Sequence, residues 1–280
     1  MKSLIISIST LFCFTAFVSA QIGCVLEHCA LALGECEADS VCRTWSNCNR
    51  ACAPIKDPVK ATACQIRCGD LYKPTNSSSS KIDAFSECVI SEHHCVKQTK
   101  TNCPRPSQIV SEFNVKTDLV GVWYITRGLN DLFDCFDCQV HNFSYNPNIK
   151  PFAKPLHGDL KYNVKVNLNC TEDCKYLPRK VFQSFSQDSQ IPGHLMNHNN
   201  SLAEMHYSDD WYVLYASEKN VLIYYCGCND AMCGYGGSVL YSRTPKLDVD
   251  EEAALRKAVD GAKIEGFVFD DLCIPNNSFC

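Results

Sequence analysis

The run HYSDDWYVLYAS, residues 206–217, sets two acids directly against an aromatic segment. Asp209 and Asp210 precede Trp211, Tyr212 and Val213. Acids at such a place ordinarily mark the solvated start of a strand. The other reading is chemical. Neighbouring side chains on a strand point to opposite faces, so one acid can face an interior while the other faces water. A carboxyl drawn into an apolar pocket has its charged form penalised. Its pKa rises, and it becomes a proton donor at mildly acidic pH. If Asp209 is the inward member, alternation puts Trp211 on the same face as a pocket wall and leaves Asp210 outward and solvated.

The 21 cysteines offer a second chemistry, metal ligation by thiolates. C-x-x-C pairs such as Cys135/Cys138 occur, but not as paired modules at zinc-ribbon spacing, and no metal is expected. The first twenty residues account for the cysteines better. Lys2, a short apolar run and Val18-Ser19-Ala20 read as a secretory signal peptide cut before Gln21. Its removal takes Cys13 and leaves twenty cysteines, an even number that fits a disulfide framework in an oxidising compartment. Five N-x-S/T sequons, at Asn76, Asn142, Asn169, Asn199 and Asn276, suit the same compartment. Secretion is therefore expected, with delivery to a plastid lumen through the secretory route as the other possibility. A net charge of −5 without a basic patch excludes nucleic acid as a partner.

The elements that must position any site fall into three parts after residues 1–20. Residues 21–105 form a cysteine-rich helical domain, 106–247 a barrel, and 248–280 a C-terminal helix and tail. Cys48 and Cys52 are four apart, as are Cys64 and Cys68, so each pair lies on one face of a helix. Two antiparallel helices would bring these faces together, and the nested pairing Cys48–Cys68 with Cys52–Cys64 is a hypothesis the spacing allows. Such a small unit has little core, so bridges must supply its stability. From residue 115 the grammar changes to strands: VGVWYITR, DCQVHNFSY, LKYNVKVNLN, KVFQSFS, AEMHY, WYVLYAS, VLIYYC and GGSVLYSRT. Eight short runs of this kind predict an antiparallel up-and-down barrel, and DVDEEAALRKAVDGAKIEG predicts an amphipathic helix outside it. The fold class is α+β, mainly β.

A barrel opening on Gly121-x-Trp123 and closing on an arginine, Arg243, resembles a lipocalin, in which that arginine stacks on the tryptophan at the barrel base. The stretches VGVWYITRGLNDLFDCFDCQVHNF, NHNNSLAEMHYSDDWYVLYAS, YCGCNDAMCGYGGSVLYSRT and ATACQIRCGDLY resemble the violaxanthin de-epoxidase family. That family reduces xanthophyll epoxides with ascorbate at acidic pH. The resemblance implies an acid-activated, ascorbate-dependent enzyme with Asp209 as the catalytic acid and Tyr225 beside the epoxide. It implies Gln139, Trp211 and Tyr241 as substrate-binding residues. It also implies Asp137, His141, His198 and His206 as pH-switch positions favouring an open or dimeric barrel in acid, with a lipid surface as a further partner. The family's missing cysteine near Cys24 leaves Cys138 to find another partner, with Cys103 as the candidate. A secreted, non-catalytic lipocalin that binds an apolar ligand is the alternative reading. A cysteine-rich interaction protein without ligand is the third.

Overall fold

The computed structural model describes residues 16–280 except 73–79, 97, 131–132, 151–152, 168–169, 171–172, 203–204 and 231. Most of the expected signal peptide, and the sequons at Asn76 and Asn169, lie outside the described residues. The helices of the cysteine-rich region are α1 (Ala16–His28), α2 (Ala30–Ala38), α3 (Ser40–Cys52), α4 (Pro58–Tyr72) and α5 (Ser80–Ser86). Their starts follow from capping chemistry. The Asp39 carboxylate accepts from Cys42 N at 2.8 Å ahead of α3. Asp57 does the same for Lys60 N at 3.0 Å, and Pro58 occupies the first turn of α4, where its missing N–H costs nothing.

Disulfides replace a core here. Cys48 bonds Cys68 and Cys52 bonds Cys64, the nested arrangement that clamps α3 to α4. Cys24–Cys95, Cys29–Cys88 and Cys36–Cys42 close the rest of the region. Cys103 does not pair with Cys138. It bonds Cys226 of the barrel, and Cys138 bonds Cys280. The reason is where the tail runs: Asn276 accepts from Cys138 N at 3.0 Å and its own N–H reaches Asp137 at 2.9 Å, so the C-terminus lies beside Cys138. Among the described residues no helix is long and apolar enough to cross a membrane.

The barrel strands are β2 (Gly121–Gly128), β3 (Asp137–Tyr145), β4 (Leu156–Lys165), β5 (Tyr176–Gln187), β6 (His194–Leu202), β7 (Met205–Ala216), β8 (Asn220–Asn229) and β9 (Met232–Ser242). Each pairs antiparallel with the next, and β9 closes the ring by pairing with both β8 and β2. A two-residue strand, β1 (Thr99–Lys100), runs parallel to the start of β9. The count of eight agrees with the sequence expectation, but two assignments differ. MHY and WYVLYA, the described parts of two expected runs, belong to one strand, β7, and β6 has no counterpart among the expected strands. Its sequence HLMNHNNSL lacks the β-branched alternation that marks a strand. It is held chiefly by β7, since its ladder with β5 is only Ser186↔Met196 and Gln187↔Leu195. Asp209 and Asp210 therefore sit mid-strand, not at a strand's start.

Alternation divides the barrel into two cores. Trp211, Val213, Val221, Ile223 and Tyr225 face the lumen. Tyr212, Leu214, Leu222, Tyr224 and Leu240 face outward beneath Leu255, Val259 and Ala262 of α6 (Glu252–Ala262). This cover explains why β8 is apolar on both faces. At the base, Trp123 is fully buried and donates Nε1–H to Leu119 O at 2.6 Å. The Arg243 guanidinium lies 3.5 Å above its ring and donates to Val120 O and Val122 O, both at 3.1 Å. Gly121 is required beside it. Its φ is +108°, and a Cβ there would stand 2.8 Å from Arg243 Nη1.

Candidate active site

β7 turns Tyr207, Asp209, Trp211 and Val213 inward and Ser208, Asp210 and Tyr212 outward. Asp209 is 6% exposed. Its Oδ1 accepts the Tyr235 hydroxyl, and its Oδ2 accepts Asn197 Nδ2 at 3.4 Å. Tyr235 reaches it across β8 because Gly227 is the residue paired with both. A Cβ on Gly227 would fall 2.0 Å from Asp209 Oδ1. Burial pushes the Asp209 carboxyl up to about 7, against the pull of Tyr235 and Asn197 on its charged form. Gly227→Ala must therefore displace that carboxyl. It is expected to lower stability by about 1–3 kcal/mol, checked by a denaturant melt.

A second acid, which sequence reasoning missed, faces the same cavity. Asp134, in the loop between β2 and β3, is 2% exposed. It accepts the Tyr225 hydroxyl at 2.7 Å, Asn130 N at 2.8 Å and Ser238 N at 3.1 Å. Burial pushes it, too, up to about 7. The neighbouring bridge Cys135–Cys273 anchors this loop. The available signal was an acid set among Phe133, Cys135 and Phe136.

These groups line a cavity whose water-accessible interior is about 170 Å³. At roughly 30 Å³ per water, that is space for about half a dozen waters, not a filled core. Gln139, His141, Trp211, Tyr225 and Tyr241 all lie on its wall. Gln139 donates Nε2–H to Asp134 O at 2.6 Å. Tyr241 is paired with His141 Nδ1 at 3.0 Å. The Trp211 ring packs 4.7 Å from Phe185, and its buried Nε1 makes no well-formed hydrogen bond, exerting only a weak pull on Asp209.

The four positions proposed for acid sensing do not form one group. His141 is buried inside the barrel, and desolvation pushes its imidazole down to about 3, so it is neutral while the barrel is closed. Asp137 lies away from the cavity wall. A bulge at Cys138, with φ +50°, turns it to the Tyr176 hydroxyl at 2.9 Å and Lys165 Nζ at 3.1 Å. His206 is exposed and meets Asp230 at 3.2 Å. His198 lies on the outer face, 2.9 Å from Asp210. Asp210 is outward but not freely solvated, because His194 Nε2 also binds it at 3.0 Å. His194, unanticipated from sequence, reaches Asp188 with its other nitrogen at 3.1 Å and is pushed upward chiefly by the Asp210 hydrogen bond.

Two groups of potential metal ligands occur among the described residues, Cys52/Cys64/Cys68 and Cys88/Glu92/His93. Every cysteine in them is bonded in a disulfide and offers no thiolate.

The cavity and its acids occur in a chain with clear relatives. Violaxanthin de-epoxidase, chloroplastic, of Arabidopsis thaliana is 36% identical over 264 residues, covering 90% of this chain and 53% of that protein. The protein of the same name from Nicotiana tabacum is 38% identical over 233 residues, covering 80% and 44%. The chain thus spans about half the length of these relatives. Among solved structures, lobster apocrustacyanin A1 is 15% identical with a TM-score of 0.37, over 56% of this chain and 76% of that one. The cockroach allergen Per a 4 is 11% identical with a TM-score of 0.38, over 62% and 94%. The VDE lipocalin domain model matches residues 21–277, from the first bridged cysteines through the barrel to the tail, and the chain belongs to that family.

Proposed function

We propose that this protein reduces epoxides of xanthophylls, or of related apolar isoprenoids, with ascorbate as reductant, in an acid-activated reaction. The observation that carries the reading is Asp209: a desolvated carboxyl, raised to about 7, on a cavity wall built mostly of aromatic and aliphatic side chains. Each turnover takes two electrons and two protons from one ascorbate. The epoxide becomes an alkene, its oxygen leaves as water, and dehydroascorbate forms. Asp209 gives its proton to the epoxide oxygen as the first C–O bond opens, so no free alkoxide has to form against the apolar wall. Tyr225 steadies that oxygen. While Asp134 is ionised the Tyr225 proton is committed to it at 2.7 Å, and protonation of Asp134 frees the hydroxyl toward the cavity. Trp211 and Tyr241 form walls for the apolar body, and Gln139 presents the polar edge. The framework of disulfides requires an oxidising compartment, which a secretory route or a plastid lumen supplies.

The test is a pigment assay on the oxidised full chain, with violaxanthin, ascorbate and a galactolipid. Epoxide loss is expected, about tenfold faster at pH 5 than at pH 8, because a donor near pH 7 is protonated at the first and about one-tenth protonated at the second. Pigment that co-elutes with the protein but keeps its epoxides would overturn the enzyme reading and leave a carrier of apolar ligands.

A further inference from the structure

The barrel does not enclose its cavity alone. Two wall residues, Ile66 and Asp70, come from α4 of the cysteine-rich region. This helix lies across the barrel mouth. Arg67 donates to Lys165 O and Val166 O, and Arg179 Nε donates to Asp70 O. The bridge Cys48–Cys68 ends two residues before Asp70 and fixes its turn of helix.

Asp70 is 8% exposed. Its Oδ1 accepts the Tyr162 hydroxyl at 2.9 Å, and its Oδ2 is buried with no hydrogen-bond partner. Gln183 shows the same pattern on the same cavity. It donates Nε2–H to the Tyr207 hydroxyl at 2.9 Å and leaves Oε1 buried and unpaired. Buried polar atoms are nearly always satisfied, and an orphan in a native protein needs a reason. Two orphaned acceptors on the wall of one cavity ask for a donor from outside the protein. Water can serve such an acceptor, but the apolar neighbours Ile66, Phe136, Leu160 and Val181 favour a donor carried on an apolar body. A free sugar-like reductant meets the polar demand and not the apolar one.

We propose that Asp70 binds a hydroxyl on the ring end of the apolar ligand, so that the cysteine-rich region supplies a specificity-determining residue to the barrel's site. This rests on the reading that the cavity takes an isoprenoid. Burial pushes the carboxyl up to about 6, so in mild acid the hydroxyl meets a group that can both accept and donate. Ascorbate affinity is not set by this group.

Two probes separate the possibilities: violaxanthin, and the diepoxide of β-carotene, which has the same polyene and epoxides but no ring hydroxyls. Binding to the oxidised full chain is followed by quenching of tryptophan emission, which needs no turnover. Wild type is expected to prefer violaxanthin. Asp70→Ala should weaken violaxanthin binding about tenfold and leave the unhydroxylated diepoxide unchanged, removing the preference. Asp70→Asn, which can still exchange a hydrogen bond with a hydroxyl, should retain most of it. Asp70→Val replaces the alanine variant should that one fail to fold. Equal loss for both pigments, or an unchanged preference in the alanine variant, overturns the assignment. If wild type binds neither pigment, the isoprenoid reading itself falls.

Discussion

Asp209→Asn is expected to slow de-epoxidation by about 10²–10⁴-fold at pH 5, the range spanned by a single positioned proton donor. Asparagine keeps the volume of aspartate and can still accept from the Tyr235 hydroxyl, so the wall keeps its shape. What it lacks is a transferable proton where the epoxide oxygen develops charge. The loss should fall on kcat, with pigment affinity by tryptophan quenching changed less than about threefold, because the acid acts in the transition state rather than in the bound substrate. The sign of the pH dependence follows from burial. The wild-type rate rises as pH falls through about 7, where Asp209 takes up its proton, and the residual rate of the variant lacks that step. Asp210→Asn is the control. Its carboxylate is outside the lumen, shared by His194 and His198, and its own burial is outweighed by the His194 hydrogen bond, which holds it below the usual range. A change of no more than a few-fold is expected there. An Asp209→Asn protein that turns over at the wild-type rate would remove the proton-donor role.

How this site was legible from sequence depends on which physical rule places each residue. The side of the strand on which Asp209 falls is a local matter, set by the period of two, and the sequence was enough to put Trp211 on the same face. Its depth along the strand was misjudged because β6 is polar, and HLMNHNNSL gives no periodic signal by which to recognise a neighbouring strand. The clamp of α3 on α4 was readable because both cysteine pairs repeat at helical spacing. Asp134 was not, because the partner that gives it meaning, Tyr225, lies 91 residues away and meets it only when the barrel closes. Cys138 was paired wrongly for the same reason, as its partner is 142 residues distant on a tail with no periodicity. His141 shows the converse limit. Residue type suggested a titrating group, but desolvation, which sequence does not report, keeps it neutral while the barrel is closed.

Asp134 and Asp209 should also make the fold itself more stable in acid. Both carboxyls are raised from 3.8 to about 7 in the folded chain by burial. Between these values the native state holds protons that the unfolded chain has released, so unfolding becomes easier as pH rises. Their contribution is fully present below about pH 4 and lost as pH climbs through about 7. A shift of about 3 units corresponds to about 4 kcal/mol for one acid as an upper bound, since interior relaxation and their mutual interaction reduce it. For a chain of this size that is a change on the order of 10 °C in melting midpoint. Other groups titrate over the same range, so the discriminating quantity is the difference between wild type and Asp134→Asn at each pH. Asparagine keeps an oxygen for the Asn130 and Ser238 N–H groups and cannot ionise. At pH 5 the two proteins should melt within a few degrees of each other, and at pH 8 the variant should melt higher on the order of 10 °C. Parallel melting curves across that range would mean that Asp134 carries no raised pKa. The pairing by which it controls the Tyr225 proton would then have to be abandoned, while Asp209, tested separately through kcat, would stand.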